Sequence, residues 1–137
     1  RRRRERPLRQ STLLWVEDPA RRLLLQRRPP TGIWAGLWSL IDGDSTAAAL
    51  ARLDGLGIVS APITPMASIR HEFTHFSLEM TVQRVAACAQ GVGDSDTRWL
   101  SLSEALTLGL PQPLRRLITA QIEGGIGSTG TAINTHE

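Results

Sequence analysis

The sequence predicts a mixed α/β domain in which helices cover a β-sheet. Two apolar runs, residues 11–17 and 22–28, flank a turn that contains Pro19, which is typical of a β-hairpin. Apolar and polar residues alternate within residues 63–88, which predicts a further half-buried strand. Leu-rich segments that follow capping residues predict helices, and this mixture indicates a sheet with helices packed on it.

The elements between these landmarks have local signals of their own. Residues 29–32 contain two Pro and a Gly and predict a loop, and residues 33–40 predict a short strand after it. Ser45 or Thr46 can cap a helix that passes through Leu53 and ends at the Gly residues that follow.

The alternation in the second half of the chain is clearest over residues 76–82, which places Phe76 in the core as part of a strand. Ile69, Phe73 and Met80 also form a helical stripe with Phe76, so the beginning of this region is compatible with either structure.

The last third of the chain predicts a loop at residues 91–97, a short strand at residues 98–100 and two helices. Ser101 and Glu104 have the spacing of a capping box, which begins the first of these helices. Pro111 or Pro113 begins the second.

Composition divides the chain into three parts. Residues 1–10 hold six Arg and little that can form a core, so we expect a basic linker or arm. Residues 11–122 form the predicted domain. Residues 123–137 are rich in Gly, Ser and Thr, and we expect this tail to be disordered.

The charge and cysteine content narrow the possible functions. The formal net charge is +3 and all 16 basic residues are Arg, whose planar guanidinium suits phosphate. No apolar run approaches the roughly 20 residues of a membrane span, and no secretory signal is present, so we expect a cytoplasmic protein. Cys88 is the single cysteine, which rules out an internal disulfide or a cysteine-based metal site, and we expect it in the core.

Residues 71–75 match the H-E-x-x-H motif of zinc proteases. That chemistry needs His71 and His75 one helical turn apart on a helix. The motif here leads directly into the alternating strand, where residues four apart are separated by about 13 Å and cannot share a metal ion. We therefore expect no metal site at this motif.

Residues 36–58 resemble part of the Nudix hydrolase family, in which a glycine-led strand precedes a loop and a helix that binds magnesium through Arg-Glu and Glu-Glu pairs. Aligned on Gly57, the corresponding positions here hold Leu50 and Ala51, then Asp54 and Gly55. Asp54 is therefore the one carboxylate among these four positions, whereas a magnesium ion requires several hard oxygen ligands. The resemblance implies a Nudix-like (MutT-like) fold with a degenerate Nudix helix.

Residues 24–38, LLQRRPPTGIWAGLW, resemble the Nudix-like C-terminal domain of the A/G-specific adenine DNA glycosylases, the MutY family. Residues 70–76, RHEFTHF, are similar to the lesion-reading loop of that family, whose core is Phe-Ser-His. The two matches occur in the family's order, with the degenerate helix between them, and the resemblance covers residues 11–122.

The resemblance implies a domain that binds double-stranded DNA and recognises 8-oxoguanine opposite adenine during base excision repair. The parent glycosylase would carry its catalytic centre and a 4Fe-4S cluster in an N-terminal domain that this chain does not match. The chain itself would contain no cofactor and no catalytic residue. It would act as a monomer in the bacterial nucleoid, with the N-terminal domain and duplexes containing 8-oxoguanine:adenine or guanine:adenine mispairs as partners.

Within that resemblance, Phe73, Thr74 and His75 correspond to the lesion-reading residues, with Thr74 in place of the family's Ser. A hydroxyl can both donate and accept a hydrogen bond, so Thr74 can address the N7–H and O8 atoms of the oxidised base. Phe73 can act as an apolar wedge, and His75 can accept from the exocyclic amine.

The remaining candidates are less specific. His71 is either a structural histidine or part of the same loop. Arg27, Arg28 and Arg70 are candidate phosphate contacts. Trp34 and Trp38 are expected to pack in the core or its loops.

Two other functions stay open at this point. One is an active Nudix hydrolase of nucleotide diphosphates, which the missing carboxylates disfavour. The other is a protein-interaction module built on an inactive Nudix scaffold.

Overall fold

A computed structural model describes residues 7–89, 96–124 and 131–136. The predicted hairpin is confirmed: strand β1 (Leu8–Glu17) and strand β2 (Leu23–Arg27) pair antiparallel. The buried Asp18 closes the turn between them, since its carboxylate accepts hydrogen bonds from the main-chain nitrogen of Arg22, at 2.8 Å, and from its guanidinium, at 2.9 Å.

Two short strands and a helix follow. Strand β3 (Trp38–Ser39) pairs with β2, and strand β4 (Ile41–Gly43) pairs with β1. Helix α1 (Thr46–Gly55) is capped by Ser45, whose hydroxyl accepts from the main-chain nitrogen of Ala48 at 3.1 Å. This is the capped helix that the sequence predicts.

Strand β5 (Val59–Glu72) and strand β6 (Ser77–Ala89) form a long antiparallel hairpin. The helical alternative for the beginning of this region is therefore wrong. β5 pairs with β6 from Glu72↔Ser77 back to Val59↔Ala89. This pairing gives the main-chain groups of both strands hydrogen-bond partners across the sheet, and it outweighs the helical spacing of the apolar residues.

The chain continues with strand β7 (Thr97–Leu100), helix α2 (Leu102–Ala105), helix α3 (Gln112–Gly124) and strand β8 (Thr131–His136). The predicted capping box is confirmed: the Ser101 hydroxyl accepts from the Glu104 nitrogen at 3.1 Å, and the Glu104 carboxylate accepts from the Ser101 nitrogen at 2.9 Å.

Within the described ranges, eight strands form one mixed sheet in the order β3-β2-β1-β6-β5-β8, with β4 beside β1 and β7 beside β2. The parallel β1–β6 pair lies at its centre. Alternate residues of β1 enter two separate cores, one containing Leu13 and Trp15 with α3, the other Leu14 and Val16 with α1. The predicted α/β fold, a mixed sheet covered by helices, is confirmed.

Strand pairing continues beyond both predicted ends of the domain. Strand β1 begins at Leu8, inside the predicted arm, because the main chain of residues 8–10 pairs with β6 although their side chains are exposed. In the tail predicted to be disordered, residues 131–136 form β8 parallel to β5, since an edge strand offers unpaired main-chain groups whatever the composition of its partner.

Some predictions fall outside the described residues. These are the basic arm at residues 1–6, most of the predicted loop at residues 91–97 and the burial of the Cys88 side chain. The predicted strand at residues 98–100 and the last helix are both present, as β7 and α3.

Candidate nucleic-acid interface at the β5–β6 hairpin

The turn that joins β5 to β6 presents two polar side chains to solvent. The main-chain nitrogen of Phe73 donates to the carbonyl of Phe76 at 2.8 Å and closes the turn. Thr74 and His75 lie at its tip and are exposed, whereas Phe73 and Phe76 are half-buried beneath them. The turn therefore places the hydroxyl of Thr74 and the imidazole of His75 where a ligand in solution can reach both.

The geometry of this turn decides how the H-E-x-x-H motif is interpreted. His71 is 4% exposed at the end of β5, and His75 is exposed at the tip of the turn, so the two do not share a helical face. In the part of the chain that the structure describes, no three His, Cys, Asp or Glu side chains are grouped so that they could hold a metal ion.

Aromatic rings support the tip from below. The rings of Phe73 and Phe76 are stacked with centroids 4.7 Å apart. His71 meets Phe73 edge-on at 4.5 Å, and Trp34 lies 5.7 Å from Phe73 and 5.8 Å from His71. Aromatic pairs at such distances stabilise a structure by about 0.5–1.5 kcal/mol each beyond the area they bury. The cluster of Trp34, His71, Phe73 and Phe76 thus fixes the base of the tip.

The loop at residues 28–38 brings Trp34 to this cluster. Main-chain hydrogen bonds close the loop, from Arg28 to the Leu37 carbonyl at 2.7 Å and from Gly36 to the Pro29 carbonyl at 2.9 Å. Trp34 has a φ of 53°, which is unusual for a residue other than Gly and persists only where the surroundings hold it. The two sequence motifs that resemble the glycosylase family, far apart along the chain, are therefore in contact through Trp34.

The predicted phosphate contacts differ in their availability. Arg28 forms an ion pair with Asp42 at 2.6 Å and donates to the Ile33 carbonyl at 3.3 Å, so it stabilises the 28–38 loop. Arg70 pairs with Glu72 at 2.9 Å. Arg27 is exposed, with its guanidinium 5.3 Å from the ring centre of Trp38.

Glu72 lies beside the tip, where an isolated carboxylate would repel DNA. Its two oxygens are engaged, one by the guanidinium of Arg70 and the other by the hydroxyl of Ser77, which donates to it. The pairing with Arg70 compensates the negative charge next to Thr74 and His75.

Sequence reasoning missed Arg9. Its guanidinium lies 4.5 Å from the ring centre of Phe76. The residue belongs to the segment predicted to be an arm, and only the pairing of β1 with β6, which is long-range, places it at the site. No local signal in the sequence indicates this position.

A cavity of about 170 Å³ adjoins the aromatic cluster. Arg9 and Trp34 line it together with Asp42 and Asp44, so its wall is partly charged and partly aromatic. Arg9 therefore both lies over the ring of Phe76 and lines the cavity.

Helix α1 occupies the place where the resemblance puts the Nudix helix. Leu50 is half-buried, and Ala51 and Asp54 are exposed, so among the positions aligned with the magnesium ligands only Asp54 offers a carboxylate. The donor set does not fit a magnesium ion, which takes several hard oxygen ligands.

Comparison with known proteins settles the family at the level of the domain. A family model described as NUDIX domain matches residues 12–120. The chain belongs to the NUDIX domain family. The match begins within β1, includes β2 to β7 together with α1, α2 and most of α3, and ends before β8.

Solved structures share the fold of this NUDIX domain. The MutT protein from Methanosarcina mazei Go1 superposes with a TM-score of 0.68 at 21% identity, covering 90% of this chain and 99% of that one. The C-terminal domain of mouse MUTYH, solved in complex with human PCNA, gives a TM-score of 0.67 at 18% identity, covering 88% and 92%. The E. coli ORF135 protein gives 0.65 at 23% identity, covering 90% and 96%. Identities this low establish the fold alone.

Among the described helices of the NUDIX domain, none is long and apolar enough to cross a membrane.

Proposed function

We propose that this NUDIX domain binds double-stranded DNA and recognises 8-oxoguanine opposite adenine, as the lesion-reading part of an adenine DNA glycosylase in base excision repair. The observation that carries the proposal is the turn at the end of the β5–β6 hairpin, where Thr74 and His75 are exposed above a fixed aromatic base. A rigid, exposed tip with hydrogen-bonding side chains is what direct reading of a base edge requires.

The chemistry of Thr74 matches the lesion. 8-Oxoguanine differs from guanine by an N7–H donor and an O8 acceptor, and one hydroxyl can accept from the first and donate to the second. His75, next to it at the tip, accepts from the exocyclic amine that the syn lesion turns toward the major groove. Direct contacts of this kind discriminate between bases by about 1–3 kcal/mol.

Phe73 supplies an apolar surface behind these polar groups. It is half-buried and stacked on Phe76, so it offers a fixed edge that can enter a partly unstacked base step. Apolar wedges of this type offset a few kcal/mol of unstacking by the contacts that a bent duplex gains.

Catalysis in this proposal belongs to the parent protein, whose N-terminal domain would remove the adenine and carry the 4Fe-4S cluster. The degenerate α1 supports this division, because its single remaining carboxylate, Asp54, is too few for magnesium-dependent diphosphate hydrolysis. The mouse MUTYH C-terminal domain, which has the same fold, is consistent with a NUDIX domain in this setting.

The proposal is tested by fluorescence anisotropy with the whole chain and three labelled duplexes, which carry 8-oxoguanine:adenine, guanine:adenine or guanine:cytosine. We expect the wild type to prefer the oxidised pair by roughly 10-fold. Thr74→Val, which removes the hydroxyl and keeps the shape, should lose this preference, and Thr74→Ser, the matched control, should keep it. Equal affinity of the wild type for all three duplexes, or an unchanged preference in Thr74→Val, contradicts the assignment.

A further inference from the structure

We infer that Arg27 and Arg98 form a second DNA contact, a two-guanidinium clamp on Trp38 that holds the phosphodiester backbone within about one turn of the duplex from the lesion. The inference rests on the proposed function, because it takes the polyanion to be the same duplex. It adds Arg98, which no sequence motif indicates, and removes Arg28 from the set of phosphate contacts.

The strand register places Arg27 and Arg98 on either side of the same part of β2. Arg27 lies directly opposite Trp38 in the β2–β3 pair. On its other side, β2 pairs with β7 so that Leu25 lies opposite Arg98, two residues before Arg27. Residues two apart on a strand point to the same face, so Trp38, Arg27 and Arg98 share one face across three adjacent strands.

The ring of Trp38 holds both guanidiniums. That of Arg27 lies 5.3 Å from the ring centre of Trp38, and that of Arg98 lies 5.8 Å from the same ring. Both distances fall within the range of cation–π attraction. Trp38 is buried in the core, with 8% of its surface exposed. Its ring therefore has a fixed position and holds the two positive charges close together.

Both guanidiniums are available to a ligand from solution. Arg27 and Arg98 are both exposed, and among the described residues neither guanidinium has a recorded ion pair. Arg28 and Arg70 differ in this respect, because carboxylates of Asp42 and Glu72 already hold them. Two exposed, converging guanidiniums present the forked donors that suit phosphate oxygens.

The clamp lies close to the lesion-reading tip along the chain, because Trp34 links the two. Trp38 is four residues from Trp34, which contacts Phe73 at 5.7 Å. Four residues span at most about 14 Å, and successive phosphates on one strand advance by about 3.4 Å along the helix axis. With the 5.7 Å from Trp34 to Phe73, the 5.3 Å from Trp38 to Arg27 and the lengths of the side chains added, the clamp lies within about 34 Å of the base that the tip reads, which is about one turn of the duplex.

The test separates the clamp from the lesion reader by measuring salt dependence. The logarithm of the affinity of the chain for duplex DNA is measured against the logarithm of the salt concentration, for duplexes with and without 8-oxoguanine. Arg27→Gln, Arg98→Gln and the double variant are compared with Arg21→Gln. Arg21 is the matched control, since it is also exposed and lies at the turn before β2, about 20 Å from Arg27 along the strand.

We expect each clamp variant to reduce the salt slope by about one and the double variant by about two, with equal weakening on both duplexes. Arg21→Gln should leave the slope unchanged. Far-ultraviolet circular dichroism and the thermal midpoint verify that every variant is folded.

The failures of the two proposals are distinguishable. A double variant that keeps the full slope, while the wild type still prefers the oxidised duplex, overturns the clamp and leaves the lesion reader intact. A double variant whose slope is reduced by about two, while the wild type treats all duplexes alike, supports the clamp and overturns the lesion reader. Displacement of duplex from the wild type by dGTP at an equal phosphate concentration would make the pair a nucleotide site and overturn the clamp.

Discussion

The indole of Trp34 connects the 28–38 loop to the hairpin tip. It contacts both His71 and Phe73 while its own backbone has a φ of 53°. Fixing a recognition residue through a neighbour that does not touch the ligand is how a binding site keeps the orientation of its contacting groups. We therefore regard Trp34 as a positioning residue for Phe73.

Replacing Trp34 tests this role. Trp34→Ala should lower the preference for the oxidised duplex, because Phe73 loses its support, while salt-dependent affinity for undamaged duplex remains. Trp99→Ala is the matched control, since Trp99 is also half-buried but packs against the opposite core. It should reduce the free energy of unfolding to a similar degree and leave the preference intact. Loss of the preference in both variants would show that stability alone explains the effect.

At the scale of single residues, the sequence singles out the polar residues of the tip, but not the arginines that lie beside its aromatic ring and beside Trp38. Thr74 and His75 were identifiable because a short motif carries them, and the structure places both at an exposed turn. Arg9 and Arg98 were not, because their places beside Phe76 and Trp38 depend on strand pairing between distant segments. Phe76, predicted as a core strand residue, precedes β6 and is half-buried.

At the scale of elements, the approach of β4 to α1 depends on the absence of a side chain at Gly43. A Cβ atom there would lie 2.5 Å from the main-chain nitrogen of Ala49, in the first turns of α1. Because the neighbouring atom is backbone, the helix as a whole would have to move.

Gly43→Ala should therefore lower the free energy of unfolding by about 1–3 kcal/mol, the usual cost of overfilling a packed site. Gly55→Ala, at the end of the same helix, has open space around the added methyl group and should be neutral or stabilising by up to about 1 kcal/mol. Urea unfolding of both variants measures the difference. A Gly43→Ala variant as stable as the wild type would mean that α1 can shift freely on the sheet.

The capping box of α2 predicts a pH dependence. Hydrogen bonds from the main chain and side chain of Ser101 lower the pKa of Glu104 below its ordinary value of 4.5. A carboxyl group whose pKa is lowered by folding contributes stability that is present above its unfolded pKa and lost as the pH falls through the folded pKa.

Ser101→Ala should lower the free energy of unfolding by about 1 kcal/mol at neutral pH, as the loss of an N-cap does. The stability of the wild type should itself fall as the pH drops below 4.5, and Ser101→Ala should show most of the same fall, because it keeps the main-chain nitrogen that donates to the Glu104 carboxylate. Glu104→Gln, which keeps an acceptor but does not titrate, should lack this acid-dependent change. A difference in stability between the wild type and Glu104→Gln that stays constant down to strongly acidic pH would show that the carboxylate contributes nothing to the cap.

The sequence predicts elements whose signals are local and misses those that depend on partners. The β1–β2 hairpin and the caps of α1 and α2 follow from neighbouring residues. Strand β5 contains Pro65, which cannot donate to a strand partner and weakens any strand prediction. Register shifts beside Pro65 accommodate it, and such irregularities are set by the pairing with β6.

At the scale of the whole molecule, the NUDIX fold is present, and of the α1 positions aligned with the family's magnesium ligands only Asp54 is a carboxylate. The chain should therefore show neither a magnesium-dependent rise in its thermal midpoint, which any ligand of the folded state produces, nor release of phosphate from nucleotide diphosphates. Thermal unfolding and a phosphate-release assay with and without magnesium measure both, with an active MutT-type hydrolase as the positive control. Magnesium-dependent release by this chain would revive the hydrolase function.

The central β1–β6 ladder has a consequence for how the protein is made. Leu8 pairs with Ser77, so the two strands at the middle of the sheet are 69 positions apart in the chain. At synthesis rates of about 5–20 residues per second, β1 leaves the ribosome roughly 3–14 seconds before its partner. During that interval the main-chain groups along one edge of β1 have no strand partner, and the sheet is complete only when the second half of the domain has emerged. Nascent chains that stop before Ser77 should therefore aggregate or engage chaperones, and mutations that slow translation of β6 should lower the yield of folded protein without changing its stability.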